Sequence, residues 1–173
     1  HSHVAEINYY HGSAEQVCVQ IHGNKDTCSN AVITATVTVN GTDFNIATTH
    51  VMVTPDGLPR PYQVEAVTCL LDILSHQPHH ILCGDFNMPR WINDQYERFL
   101  DSYTDTIPIS YGSSLDRGLH RASKKPPHEL NAPIFDTYMV DYVFTQAPYT
   151  ATDVRLEFGV SDHAAVIATI TRQ

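Results

Sequence analysis

The feature that most constrains this chain is a pair of alternating runs that meet at Asn40-Gly41. Ile33, Ala35, Val37 and Val39 interleave with Thr34, Thr36 and Thr38, the period of two that marks a half-buried strand. Asn-Gly supplies the positive φ angles of a two-residue hairpin turn, and Phe44, Ile46 and Thr48 alternate on the way back to His50. A β-hairpin from Val32 to His50 is therefore expected.

Around it the pattern is mixed. Prolines 55, 59 and 61 mark a loop, after which Val64, Val67, Leu70, Leu71 and Leu74 form one apolar stripe of a helix from about Tyr62 to Ser75. His79 to Cys83 reads as a short buried strand that ends at Gly84, and a second helix is expected over about Trp91 to Ser102. Residues 105–135 lack periodicity and read as a long surface loop. Tyr138, Val140, Tyr142 and Phe144 alternate on a further strand. Ala164 to Thr171 is nearly all apolar or β-branched, which predicts a strand buried on both faces. The first thirty residues give no clear signal. A chain of 173 residues with this order of elements suits one mixed α/β domain over 1–173, with a core of useful size.

Composition narrows the chemistry. Ten Lys and Arg against 19 Asp and Glu give a net charge of −9, so the overall basic surface of a sequence-independent nucleic-acid binder is missing. Such a protein can still handle phosphate when a divalent cation supplies positive charge. No apolar run approaches the ~18 residues of a membrane-spanning helix. Cys69 and Cys83 read as small buried core residues, while Cys18 and Cys28 flank Gly23–Asp26 and could bond across a hairpin or stay reduced. With no Cys-x-x-Cys pair, a thiolate zinc site is not expected.

Polar residues gather where strands stop. His50 ends the hairpin, Asp85 and Asn87 follow a buried strand, and Asp162 and His163 precede the last one. Strand ends on one rim of a sheet converge, which is where α/β folds place their sites. Asp141 instead falls inside a strand, on the face of Met139 and Val143, where an unpaired carboxylate is costly. Pairing with His163 relieves that cost; an edge position facing water is the alternative. One histidine backed by a carboxylate, a second histidine and several hard oxygen donors suit metal-assisted attack of water on a phosphoester. The imidazole takes the proton of water, and Mg²⁺ or Mn²⁺ neutralises charge on phosphorus.

Together these residues form known motifs. Gly84-Asp85-Phe86-Asn87, then Val140-Asp141-Tyr142-Val143-Phe144, then Ser161-Asp162-His163, with Thr48-Thr49-His50 upstream, resemble the endonuclease/exonuclease/phosphatase superfamily, the fold of deoxyribonuclease I. The resemblance runs from about Val32 to Thr171. It implies a four-layer sandwich of two facing mixed β-sheets with helices outside. It also implies His163 as general base, Asp141 as its orienting partner, Asp85 with Asn87 aligning the attacking water, and Asp162 as metal ligand along with Asp85 and Asn87. His50 would stabilise the phosphate or assist the leaving group. Substrates in such a superfamily include DNA, RNA ends, phosphoinositides, sphingomyelin and protein–DNA adducts.

One departure stands out. The family's metal-ligand Glu lies in a Gln-Glu pair after its first helix, and no Gln-Glu dipeptide occurs here; Glu6 and Glu15 lie in a different context. The chain is expected to lack the N-terminal strand-helix-strand unit, which would leave an exposed sheet edge open to self-association. Three readings follow: a Mg²⁺-dependent nuclease or phosphodiesterase, a phosphoinositide or sphingolipid phosphoesterase, or an inactive binding module. Arg117, Arg121, Lys124 and Lys125 share one loop, either as a nucleic-acid or other phosphate contact or as a solvated face. His76, His79 and His80 around Pro78 read as a surface turn rather than a transition-metal site. Trp91 and Tyr96 are expected to pack the second helix onto the sheet, with base stacking the alternative for Trp91.

Overall fold

The computed structural model describes residues 2–14, 29–126 and 133–173. Strands β1 (Ser2–His11), β2 (Asn30–Val39) and β3 (Thr42–His50) lead to helix α1 (Pro61–Ser75) and strand β4 (Ile81–Asp85). A 3₁₀ turn, Asp94–Tyr96, runs into the short α2 (Glu97–Leu100), then β5 (Thr104–Asp105), α3 (Ile134–Thr137) and β6 (Asp141–Thr145). Strands β7 (Tyr149–Glu157) and β8 (Ala165–Arg172) close the chain. The large sheet has the order β1-β2-β3-β4-β6-β5, and β7 pairs with β8 in a second sheet. Mixed α/β architecture is therefore observed; the described residues show these two sheets and one long helix, not four resolved layers.

The hairpin stands where the alternation put it. Asn40 and Gly41 take φ of 50° and 80°, and β2 runs antiparallel to β3 from Val32↔Thr49 to Val39↔Thr42. Helix α1 then carries the chain over, so that β4 returns parallel to β3. It buries Gln63, Ala66, Val67, Leu70 and Leu74, close to the expected stripe. Burying a Leu or Val side chain contributes about 1.5–3 kcal/mol, so this face is enough to anchor the crossover. Pro61 starts the helix, where the missing N–H is not needed.

The core centres on aromatic rings. Phe86, 1% exposed, meets Phe99 and Phe144 edge-on at 5.2 Å and Tyr142 at 5.8 Å. The Tyr142 hydroxyl donates to Met88 O at 3.0 Å and accepts the Arg90 N–H at 3.0 Å. Phe86 and Tyr142 thus pin the segment leaving β4 to the base of β6.

Several expectations are corrected. The second helix covers only Glu97–Leu100 after the 3₁₀ turn, because Trp91 takes a left-handed φ of 69° and the Asn93 side chain caps Gln95 N. Trp91 does not pack on the sheet: it is 64% exposed, with the Arg90 guanidinium 4.9 Å from its ring. Tyr96 does pack, against Tyr142 and Phe144. Strand β6 begins at Asp141, so this carboxylate ends a strand instead of lying inside one. Strand β8 is half exposed rather than buried on both faces, since it hydrogen-bonds to β7 on one side. Strands β1 and β7 had no clear sequence signal. Cys69 is exposed on α1 and Cys83 half-buried on β4, while Cys18 and Cys28 lie outside the described residues.

Gly84 explains why the large sheet closes here. With φ of 143°, it lies against Thr49 across the parallel pair, and a Cβ there would meet Thr49 O at 1.9 Å. Gly84→Ala should therefore cost about 3 kcal/mol or more through strain and forced separation of β3 from β4. A urea titration followed by circular dichroism checks this; an unchanged midpoint would refute the close-approach argument.

Candidate active site

Strand register builds the site. In the parallel pair His50 lies opposite Asp85, and in the antiparallel pair Asp85 lies opposite Asp141. Three polar residues thus end three adjacent strands in one row. His50 Nε2 comes to 3.5 Å from Asp85 Oδ2. Asp85 Oδ1 accepts the Asn87 N–H at 2.9 Å, which turns the chain sharply while Phe86 enters the core. Asn87 sits at a φ of 51°, which Asn tolerates well, and its Nδ2 donates to Val51 O at 2.8 Å. That leaves its Oδ1 and second N–H to offer to a ligand.

His163 reaches the row through a segment expected to be surface loop. Leu115 bridges to His163, Ala164 N donates to Ser114 O at 2.8 Å, and Asp116 N donates to Asp162 O at 2.9 Å. The result is a contact of 2.7 Å between His163 Nδ1 and Asp141 Oδ2. The carboxylate can only accept, so Nδ1 carries the proton and neutral His163 keeps its lone pair on Nε2. Ser114, fully buried, donates its hydroxyl to the same Asp141 Oδ2 at 2.6 Å and accepts the Val140 and Asp141 N–H groups at 3.2 Å. Ser114 was missed because it lies in a stretch without periodicity, where nothing marks one serine among several.

Two groupings of possible ligand atoms meet at His163, each within 4.8 Å: Asp85 with Asp141, and His120 with Asp162. The first offers hard oxygen donors. Burial, then the like charge of Asp141, pushes the Asp85 carboxyl up to about 6, and a divalent cation would relieve both. The second suits a cation poorly. His120 Nδ1 accepts the Ala122 N–H at 3.2 Å, so the proton of the neutral ring sits on Nε2 and no lone pair is left to ligate. Burial and then the neighbouring His163 hold the His120 pKa down, whereas the hydrogen bond to Asp141 raises that of His163.

The remaining expected residues divide. Asp162 is exposed beside His163 and His120. Arg117 pairs with Asp136 at 2.8 Å and lies 5.1 Å from the Phe135 ring centre, so its charge is already engaged. Arg121 and Lys124 are exposed on a second 3₁₀ turn, Arg121–Lys124, directly after His120, and Lys125 is exposed just beyond it. His80 is no part of a surface turn: it is buried, bonded to Pro78 O and Tyr103. His79 instead contacts Ala147 O. Glu6, on β1, accepts from Gln77 Nε2 at 3.3 Å.

No protein-family model and no curated protein matches the chain. Solved structures do. An endonuclease/exonuclease/phosphatase from Bacteroides vulgatus has a TM-score of 0.61 at 14% identity, over 99% of this chain and 67% of that one. A mannosyl-6-phosphatase from Bacteroides thetaiotaomicron has a TM-score of 0.61 at 12% identity, over 98% and 67%. The D. rerio TDP2 structure, complexed with single strand DNA product, has a TM-score of 0.57 at 15% identity, over 98% and 68%. The chain thus spans about two thirds of these neighbours' length, and what it shares with them is the fold.

The crowded carboxylates yield a linkage prediction. Because the folded Asp85 carboxyl titrates near 6 rather than 3.8, its stabilising influence is full below pH 3.8 and is lost as pH rises through 6. Asp85→Asn should therefore raise the Tm of the metal-free protein at pH 7, by up to roughly 3 kcal/mol in stability, and abolish any further rise on adding Mg²⁺. Differential scanning calorimetry with and without chelator checks both signs.

Proposed function

We propose that this chain, which has the fold of the endonuclease/exonuclease/phosphatase superfamily, is a divalent-metal-dependent phosphoester hydrolase acting on nucleic acid. One observation carries the reading: His163 is held by Asp141 at 2.7 Å, and both lie within 4.8 Å of the raised carboxyl of Asp85, at the ends of paired strands. His163 Nε2 takes a proton from water, and the resulting hydroxide attacks phosphorus as the ester P–O bond breaks. Asp141 stabilises the imidazolium, and the Ser114 hydroxyl holds Asp141 in orientation. Asp85 and Asn87 align the water; His50, 3.5 Å from Asp85 Oδ2, stabilises a phosphate oxygen or the departing oxygen. Oxygen atoms of Asp85 and Asn87, joined by Asp162 as the resemblance implies, would hold Mg²⁺ or Mn²⁺, whose role when bound is to offset charge developing on the phosphoryl group. The single strand DNA product in one structural neighbour and the exposed Arg121, Lys124 and Lys125 favour nucleic acid over a phosphoinositide or sphingolipid. A phosphatase among the neighbours keeps small phosphomonoesters in the test set.

Plasmid DNA, RNA, a phosphoinositide and a hexose phosphate, each with Mg²⁺ and with chelator, test the reading. Nucleic acid should be cleaved only with the metal, and His163→Ala should lower the rate at least about 100-fold with Tm nearly unchanged. If no substrate is hydrolysed, the binding-module reading without the Gln-Glu ligand replaces this one. The pH profile adds a sharper check. As His163 must be neutral to act, its raised pKa places the acidic limb of kcat/KM above the free imidazole value. Asp141→Asn should slow the reaction and move that limb to lower pH; an unmoved limb would break the pairing.

A further inference from the structure

A cavity of about 410 Å³ is lined by the segment whose backbone bridges to His163. Its lining includes Leu115, Asp116, Arg117, Phe135, Asp136 and Phe158. Leu115 is bridged to His163 and Asp116 N donates to Asp162 O, so the cavity wall continues from the strand-end row. Its volume falls in the ~300–1,000 Å³ range of small-molecule sites.

The cavity's charge argues against phosphate. The Asp116 carboxylate accepts N–H groups of Gly159 at 2.6 Å, Gly118 at 2.7 Å and Leu119 at 2.9 Å. Arg117 is neutralised by Asp136, so the lining carries one uncompensated negative charge. An anion is repelled, and a lipid chain would have to desolvate carboxylates. A flat, uncharged group that can stack and donate hydrogen bonds fits both properties. Phe135, with Arg117 on its ring, and the half-exposed Phe158 offer the aromatic surfaces, and Asp136, of whose carboxylate only Oδ1 meets Arg117, offers an acceptor for a ring or exocyclic N–H group.

The positive charge lies on the adjoining surface. His120 sits 6.1 Å from His163 and 5.8 Å from Phe135 between ring centres, and Arg121, Lys124 and Lys125 follow it on an exposed turn. An aromatic cavity beside a cationic track is the arrangement that holds single-stranded nucleic acid, with bases stacked and backbone phosphates on the cations. We propose that the cavity is a nucleobase subsite, which seats one base of a single-stranded substrate next to the scissile phosphate. The proposal deepens the phosphoesterase reading and rests on it only for the position of the scissile bond.

Fluorescence anisotropy of a labelled single-stranded pentanucleotide and of an abasic phosphodiester oligomer of equal length tests the proposal, in the His163→Ala protein with Mg²⁺ so that nothing turns over. The base-bearing oligomer should bind about tenfold more tightly than the abasic one, the affinity expected from stacking one base. In Phe158→Ala and Phe135→Ala that ratio should fall towards one. Because Phe158 is half exposed, its variant remains decisive should Phe135→Ala fold poorly. A ratio near one in the intact cavity, a ratio that survives in Phe158→Ala, or no binding of either oligomer would overturn the proposal, as would stronger competition by hexose phosphate than by a nucleoside monophosphate. Loss of hydrolysis in the unmodified chain would sink the phosphoesterase reading while leaving this binding ratio readable.

Discussion

The register of β3, β4 and β6 is the constraint on which the rest depends. It sets His50, Asp85 and Asp141 side by side, and a slip of one residue would turn each side chain to the opposite face of the sheet. Close approach of β3 and β4 at Thr49 and Gly84 is what keeps that register. Phe86 secures it from below, since burying its ring among Phe99, Tyr142 and Phe144 forces Asp85 and Asn87 to the rim. The motif Gly-Asp-Phe-Asn is thus a structural unit as much as a chemical one: space for the neighbouring strand, a carboxylate, a core anchor and a left-handed turn.

Charge crowding is the second organising fact. Asp85 and Asp141 share a partly buried corner, where burial, and then the charge of Asp141, raises the proton affinity of Asp85. Asp141 has two donors on one oxygen, the His163 ring and the Ser114 hydroxyl. One carboxylate is satisfied internally and the other is left with a pull towards positive charge. The two acids therefore have different chemical characters despite being neighbours on paired strands.

The stretch after β5 shows how irregular backbone can be structural. Ser113, Ser114, Leu115 and Asp116 are buried, and this segment ties Asp141 to His163 while supplying one wall of the cavity. Arg90 fixes the start of the same stretch, donating to Ile107 O at 3.1 Å, Pro108 O at 2.8 Å and Tyr111 O at 2.6 Å. Its guanidinium does the work that a strand ladder would otherwise do, satisfying carbonyls that have no sheet partner.

The amino-acid sequence by itself determined the hairpin about Asn40-Gly41, helix α1 and the identity of the strand-end residues. These rest on local effects, namely turn geometry, apolar periodicity and motifs contiguous in the chain. It also pointed to His163 as a partner for Asp141, a contact the structure has, although the strand-interior position on which that pairing was argued is a strand end. Only the tertiary structure decided the parts that depend on distant segments. Ser114 and His120 become neighbours of His163 through a backbone bridge that no periodicity announces. Trp91 left the second helix because its backbone turns left-handed beside the packed Arg90, and β8 proved half exposed because exposure depends on what lies across from a strand, not on its own residues. Arg117, one of four similar basic residues in the sequence, was separated from the others by Asp136, a partner nineteen residues away.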